Sequence, residues 1–166
     1  MNTDFLVANG RLTLRLAGKD DDLFLYQVYA STRMEEMTQV DWDDEHKELF
    51  LQMQSNAQRE HYRVHYPNAA YEIIQLNDRQ IGRFLVDRSN NPILLMDIAL
   101  LPEYRNAGIG TILIKDLMSE AAGQDRSVSL HVEIFNPAMK LYERLGFVKI
   151  AEQGIYHEMN WRSYLS

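Results

Sequence analysis

Apolar positions along the chain recur with two spacings, and the switches between them lay out an order of elements. Residues 11–16, Arg-Leu-Thr-Leu-Arg-Leu, alternate polar and apolar, which predicts a half-buried strand. A Gly- and Asp-rich turn at 18–22 leads into a helix over 23–30, and Ser31 is placed to cap a short continuation over 32–37. Residues 40–44 form a loop holding Trp42. Asp43 or Asp44 then opens a longer helix to about His65, with Leu49, Phe50, Met53, Ala57 and Val64 sharing one face. Pro67 and Asn68 end it. Strands at 71–76 and 80–87, joined by Asn77-Asp78-Arg79, predict a hairpin, and 89–92 is a turn. Residues 94–100 are apolar except for Asp97, as in a strand covered on both faces, and Pro102 marks its end. Ile109, Ile112, Leu113, Leu117 and Ala121 recur at helical spacing. A loop at 123–126, a strand at 127–135 and a short helix at 137–145 closed by Gly146 follow. A hairpin of 147–151 and 155–160 around Gln153-Gly154 completes the chain. No repeat, linker or low-complexity segment interrupts it, and 166 residues suit one compact domain.

The chemistry concentrates between the apolar strand and the helix after it. Arg105, Asn106, Ala107, Gly108, Ile109, Gly110 and Thr111 bring a cation, two glycines and a hydroxyl to a helix N-terminus. The first amides of a helix lack internal partners and carry partial positive charge, so they attract anions. Gly108 and Gly110 remove side chains that would hold a bulky phosphate away from the backbone. A diphosphate is the natural guest. A dinucleotide fingerprint would need glycine where Leu113 stands, and no Gly-Lys-Ser/Thr triplet supplies a Walker loop.

What remains, Arg-x-x-Gly-x-Gly directly after a strand, resembles the acyl-CoA signature of the GCN5-related N-acetyltransferase (GNAT) superfamily. A second block, Asn136-Pro137-Ala138-Met139-Lys140-Leu141-Tyr142-Glu143-Arg144-Leu145-Gly146-Phe147, looks like the superfamily's C-terminal "N…A..LY..LGF" segment, with the Asn-to-Ala spacing one residue shorter than usual. The resemblance implies an α/β (α+β) fold. Its mixed central sheet would have about six to seven strands, helices on both faces, and a splay between the fourth and fifth, which run parallel. It also implies acetyl-CoA as cofactor and CoA as product. Ile98, Ala99 and Leu100 would offer backbone groups to the pantetheine arm, Arg105 through Thr111 would cradle the diphosphate, and Asn136 would bond the arm or cap the helix behind it. Tyr142 stands where the family's general acid stands.

Composition narrows the setting. There is no cysteine, hence no disulfide and no thiolate nucleophile, and with no Ser-His-Asp cue the chain favours direct transfer in a ternary complex over an acyl-enzyme. No apolar run is long enough to span a membrane and no signal pattern opens the chain, so a cytoplasmic protein is expected. A net charge of −7 disfavours nucleic acid as partner and suits a cationic amine.

The general base is where the chain departs from the family. Many relatives carry glutamate directly before the strand's aspartate; here that position is Met96, and Asp97 alone remains. Asp97, acting directly or through water, is one choice. His131 and Glu133, alternating on the strand at 127–135, are others, and ordered water is a fourth. For the acceptor, a small-molecule or peptide amine, the resemblance points to residues 31–42. Glu35 and Glu36 would attract a cation, while Trp42, Tyr71 and Arg83 would line a pocket in which Arg83 favours a carboxylate. These cues conflict and leave the acceptor open. His61 and His65 stand four apart, but Tyr62 occupies the glutamate position of a zinc motif, so no metal is expected. The polar face of 52–63 is left to solvent or to a second subunit in a homodimer. Two activities follow as expectations: an N-acetyltransferase acting on a primary amine, or a non-catalytic acyl-CoA-binding module, which Met96 motivates.

Overall fold

The structure is a computed structural model that describes residues 4–163. Its strands are β1 (Asp4–Val7), β2 (Gly10–Leu16), β3 (Ala70–Leu76), β4 (Arg79–Asp87), β5 (Ile93–Leu100), β6 (Val128–Glu133), β7 (Val148–Gln153) and β8 (Tyr156–Trp161). Its helices are α1 (Asp22–Met37), α2 (Asp44–His65), α3 (Ile109–Gly123) and α4 (Ala138–Leu145). The strands hydrogen-bond in the order β1-β2-β3-β4-β5-β6-β8-β7, a mixed sheet of eight. The strand beyond the expected six to seven is β1, whose four residues are too few to show a period. The described chain divides into two compact units: residues up to Phe84 with Ile98–Arg105, and Leu85–Asp97 with the chain from Asn106 onward.

In the first unit, β2 pairs antiparallel with both β1 and β3. The β3–β4 turn is two residues, Asn77 and Asp78, with φ of 51° and 67°. Two left-handed residues match the right-handed twist of the strands, so Arg79 already belongs to β4 rather than to the turn. Phe24, Leu25 and Val28 of α1 pack on Ile73, with Tyr71, Ala99 and Leu101 against the cluster.

One expectation fails here. The predicted break at Ser31 is absent, and α1 is a single helix. The Ser31 hydroxyl donates to the Val28 carbonyl (2.7 Å) and Thr32 does likewise to Tyr29 (2.6 Å), so both are satisfied within the helix instead of capping a new one. Helix α2 starts as expected, with Asp43 accepting from the His46 amide (2.8 Å). Its Leu49, Phe50, Met53, Ala57 and Val64 face is nevertheless exposed. The helix is seated instead through Leu51, which joins Tyr29 and Met37, and through the small Ser55. Periodicity identifies a stripe and is silent on which side meets the fold.

The start of α1 is fixed by a buried carboxylate. Asp21 accepts from both terminal nitrogens of Arg15 (2.8 Å each), from the Gly18 amide (2.7 Å) and from the Gln80 side chain (2.9 Å). The Arg15 bonds, followed by the Gly18 amide, hold its carboxyl far below the usual carboxylate range.

In the second unit, β8 lies between β6 and β7, antiparallel to both. Leu113, Ile114, Leu117, Met118 and Ala121 form the buried side of α3. Gly146, at φ 102°, ends α4 and turns the chain back so that the Phe147 amide donates to the Tyr142 carbonyl (3.0 Å). The parallel ladder between β5 and β6 pairs Ile93, Leu94 and Leu95 with Val128, Ser129 and Leu130, then stops. β5 continues through Met96 and Asp97, and β6 continues to Glu133. That early end is the expected splay.

Candidate acyl-CoA site

The loop between β5 and α3 has the features of an anion cradle. The chain leaves β5 through a tight turn at Pro102–Tyr104. Asn106 then takes φ 62°, and Gly108, the residue before α3, takes φ 82°. A side chain at Gly108 would be strained at that φ, and the space where its Cβ would stand is open. No side chain caps α3 and no acidic residue lies in its first turn. The amides of Ile109, Gly110 and Thr111 thus begin the helix without a side-chain acceptor, and the dipole is uncompensated. Asn106, Ala107 and Gly108 are exposed, Gly110 and Thr111 half-buried, and Ile109 is buried as the anchor of the first turn. Arg105 is exposed. Its Nε donates to the Leu100 carbonyl (2.9 Å), and Nη2 reaches the carbonyl and hydroxyl of Ser31 (3.5 and 3.4 Å), so it braces the end of β5 to α1. Ile98, Ala99 and Leu100 continue β5, half-buried.

Tyr142 sits on the buried side of α4 with 8% of its surface exposed, its ring edge-on to Phe147 at 5.8 Å. Burial first, and the nearby Asp97 carboxylate second, push its hydroxyl up to about 12. A phenol in this setting keeps its proton throughout the neutral and moderately alkaline range. Asp97 is half-buried on β5, two residues past the end of the parallel ladder. On β6, Ser129, His131 and Glu133 share the face opposite Val128, Leu130 and Val132; His131 is exposed, and Glu133 accepts from the Tyr156 hydroxyl (3.5 Å). Asn136 caps α4, its Oδ1 accepting from the Ala138 amide (2.9 Å).

The suggested acceptor residues sit in different local settings. Glu35 and Glu36 are exposed on the last turns of α1, Glu36 accepting from Arg33 (3.2 Å). Trp42 packs edge-on against Phe50 at 5.3 Å and opens onto a hollow shared with His46, Leu49 and Met53. Tyr71 belongs to the α1 core cluster. Arg83 is 4% exposed, lies over the Tyr29 ring at 5.8 Å and donates to Gln58 (3.5 Å), so it is committed to holding α1 and α2. His61 stacks on His65 at 4.2 Å, and the His65 ring bonds the His61 carbonyl.

Residues 67–149 match the acetyltransferase (GNAT) domain family, a span that takes in both the β5–α3 loop and the α4 block. The chain belongs to the GNAT acetyltransferase family. A curated relative, the mouse cysteine-rich protein 2-binding protein, is 34% identical over 87 residues, which is 51% of this chain and 11% of that protein. The chain therefore spans about a tenth of the relative's length. Among solved structures, the PaiA N-acetyltransferase of Thermoplasma acidophilum in complex with coenzyme A aligns with a TM-score of 0.69 at 18% identity, over 92% of this chain and 99% of its own. The spermidine N-acetyltransferase of Vibrio cholerae in complex with CoA and spermine aligns at 0.63 and 20% identity, over 91% and 95%. The fold of this GNAT chain is thus the one those proteins share.

One residue of the GNAT strand pair escaped sequence reasoning. A Cβ at Gly82 would lie 2.3 Å from the Ala99 carbonyl oxygen and 2.9 Å from Leu100, so only glycine lets β4 and that part of β5 approach as they do. A lone glycine inside a strand pattern is the signal that could have found it. Gly82→Ala is expected to displace the Ala99–Leu100 backbone, lower the melting temperature and weaken acetyl-CoA binding together; a calorimetric titration with unchanged affinity would refute the link. Among the described residues no helix is long and apolar enough to cross a membrane.

Proposed function

We infer that the chain is an acetyl-CoA-dependent N-acetyltransferase that acetylates a primary amine of a small molecule or peptide by direct transfer in a ternary complex. One observation carries this: a buried tyrosine on α4, held protonated to about 12, beside a β5 carboxylate at the end of a prematurely closed parallel ladder. The uncapped N-terminus of α3 and the open space over Gly108 fit a CoA diphosphate. Acetyl-CoA would supply the acyl group as an activated thioester.

The chain's own residues divide the remaining work. The amides of Ile109, Gly110 and Thr111 bind the diphosphate, and the β5 backbone from Ile98 to Leu100 aligns the arm. Tyr142 holds a proton at Oη for the departing thiolate, and Asp97 is the carboxylate available to accept one from the amine. The spermidine enzyme among its structural neighbours supports a cationic amine as acceptor, as does the net charge of −7.

The test joins calorimetric titration of acetyl-CoA with a thiol-release assay over a panel of polyamines, aminoglycosides, arylalkylamines and peptide N-termini. Binding by the wild type, loss of at least tenfold in affinity in Gly108→Val, and thiol release with some amine are the expected results. Binding without release on any amine would replace the enzyme with the non-catalytic acyl-CoA module. Absence of binding would overturn the reading of the loop.

A further inference from the structure

The second half of α3 holds two carboxyl groups, Asp116 and Glu120, that lie outside the residues assigned to the acyl-CoA site. Glu120 keeps only 8% of its side chain exposed, and its Oε2 accepts from the Nε of Arg88, just past β4, at 2.7 Å. Its Oε1 is shielded from solvent and, among the described residues, has no hydrogen-bond partner. A buried carboxylate oxygen in that state costs free energy until a donor reaches it.

Two observations identify the donor. Asp116 precedes Glu120 by four residues, and side chains at that spacing are neighbours on a helix. Helical side chains lean toward the N-terminus, so Glu120 reaches back over the turn that carries Asp116. With Oε2 held by Arg88, Oε1 is the oxygen at hand. Asp116 is itself half-buried, and burial first, then the charge of Glu120, push its carboxyl above the ordinary aspartate range. The chain's amino group and Arg88 act more weakly in the other direction. A metal ion fits this place worse than a proton. Two carboxylates beside a guanidinium offer too few oxygens, and among the described residues no group of three or more acidic or histidine side chains is placed to hold a metal.

We propose that Asp116 takes a proton from solvent and donates it in a hydrogen bond to Oε1 of Glu120, a carboxyl–carboxylate clasp on α3 that closes on acidification and opens as pH rises. Closed, the clasp satisfies the shielded oxygen and leaves one negative charge opposite Arg88. Open, two like charges stand four residues apart, an unfavourable pair on a helix. A carboxyl that holds its proton more tightly in the folded chain stabilises fully below its ordinary value, and that contribution is lost as pH rises through the raised one.

Thermal denaturation of the full chain between about pH 4 and about pH 8 tests this. Asp116→Asn removes the charge and supplies a permanent donor to Oε1, and the two residue types differ little in helix propensity. The variant is expected to melt roughly 2–4 °C above the wild type at pH 8, with the gap closing toward pH 4 as the wild type closes its own clasp. In a Glu120→Gln background the same substitution is expected to give no such pH-dependent gain. Carboxyl-carbon NMR reads the proton itself: Asp116 should titrate above the ordinary aspartate value in the wild type and move down in Glu120→Gln. An Asp116→Asn chain that gains nothing at pH 8, a gap that does not change with pH, or an Asp116 titration that Glu120→Gln leaves in place would each overturn the clasp.

Discussion

Tyr142→Phe is expected to lower kcat about a hundred- to ten-thousandfold, the usual range for removing a positioned proton donor. The affinity for acetyl-CoA should stay within a few-fold, because the phenylalanine ring keeps the edge-on contact with Phe147 and the packing of α4. The melting temperature should change little for the same reason. A purely structural tyrosine would show the reverse, a lower melting temperature with kcat preserved. The pH profile adds an independent check. Burial and Asp97 raise the hydroxyl to about 12, so the neutral, donating form persists well above pH 9. The wild type should therefore show no alkaline fall in kcat from this group below about pH 11. A falling limb near pH 9 that disappears in the phenylalanine variant would contradict the assignment.

Asp21→Asn is expected to have the largest effect on stability. The carboxylate is 4% exposed and accepts from Arg15 twice, from Gly18 and from Gln80, so the amide cannot satisfy the same donors. Removing one partner of a buried pair costs about 3–5 kcal/mol, and the partial exposure of Arg15 favours the lower end. For a chain of this length about 3 kcal/mol corresponds to a melting temperature roughly 6–12 °C lower. The sign with pH follows from the depressed carboxyl. Its contribution is complete above the unfolded value of about 3.9 and is lost as pH falls toward the folded one. The gap between wild type and variant should hold from pH 5 to 8 and shrink below about pH 4, measured by thermal denaturation. A constant gap down to pH 2 would mean that Asp21 acts through packing rather than charge.

The parts of this molecule that were legible in the sequence are those that local chemistry determines. Strand, proline turn, glycine loop and helix lie in one continuous stretch, and the Gly108 conformation, the uncapped α3 and the Asn136 cap answer to neighbours a few residues away. What could not be read depends on distant partners. Arg83 looked like a pocket cation, but Tyr29 and Gln58 from other elements claim it. The bonds of Arg105 to Ser31 and the Leu100 carbonyl could not be read from its own stretch of chain. Ser31 looked like a cap because its hydroxyl is equally suited to bonding the preceding turn. The α2 stripe was identified correctly as a face and gave no sign of its direction.

The interrupted pairing of β5 and β6 has a consequence for how the protein endures heat and proteolysis. The register of the parallel ladder ends at Leu95 and Leu130, while β5 itself runs on through Met96 and Asp97. A ligand that binds only the folded chain raises stability by about 2.7 kcal/mol at a hundredfold excess over its Kd. The melting temperature of this domain would then be a readout of ligand supply, and amide exchange at Met96 and Asp97 would slow on saturation. Lifetime and occupancy would be tied together by the same stretch of strand.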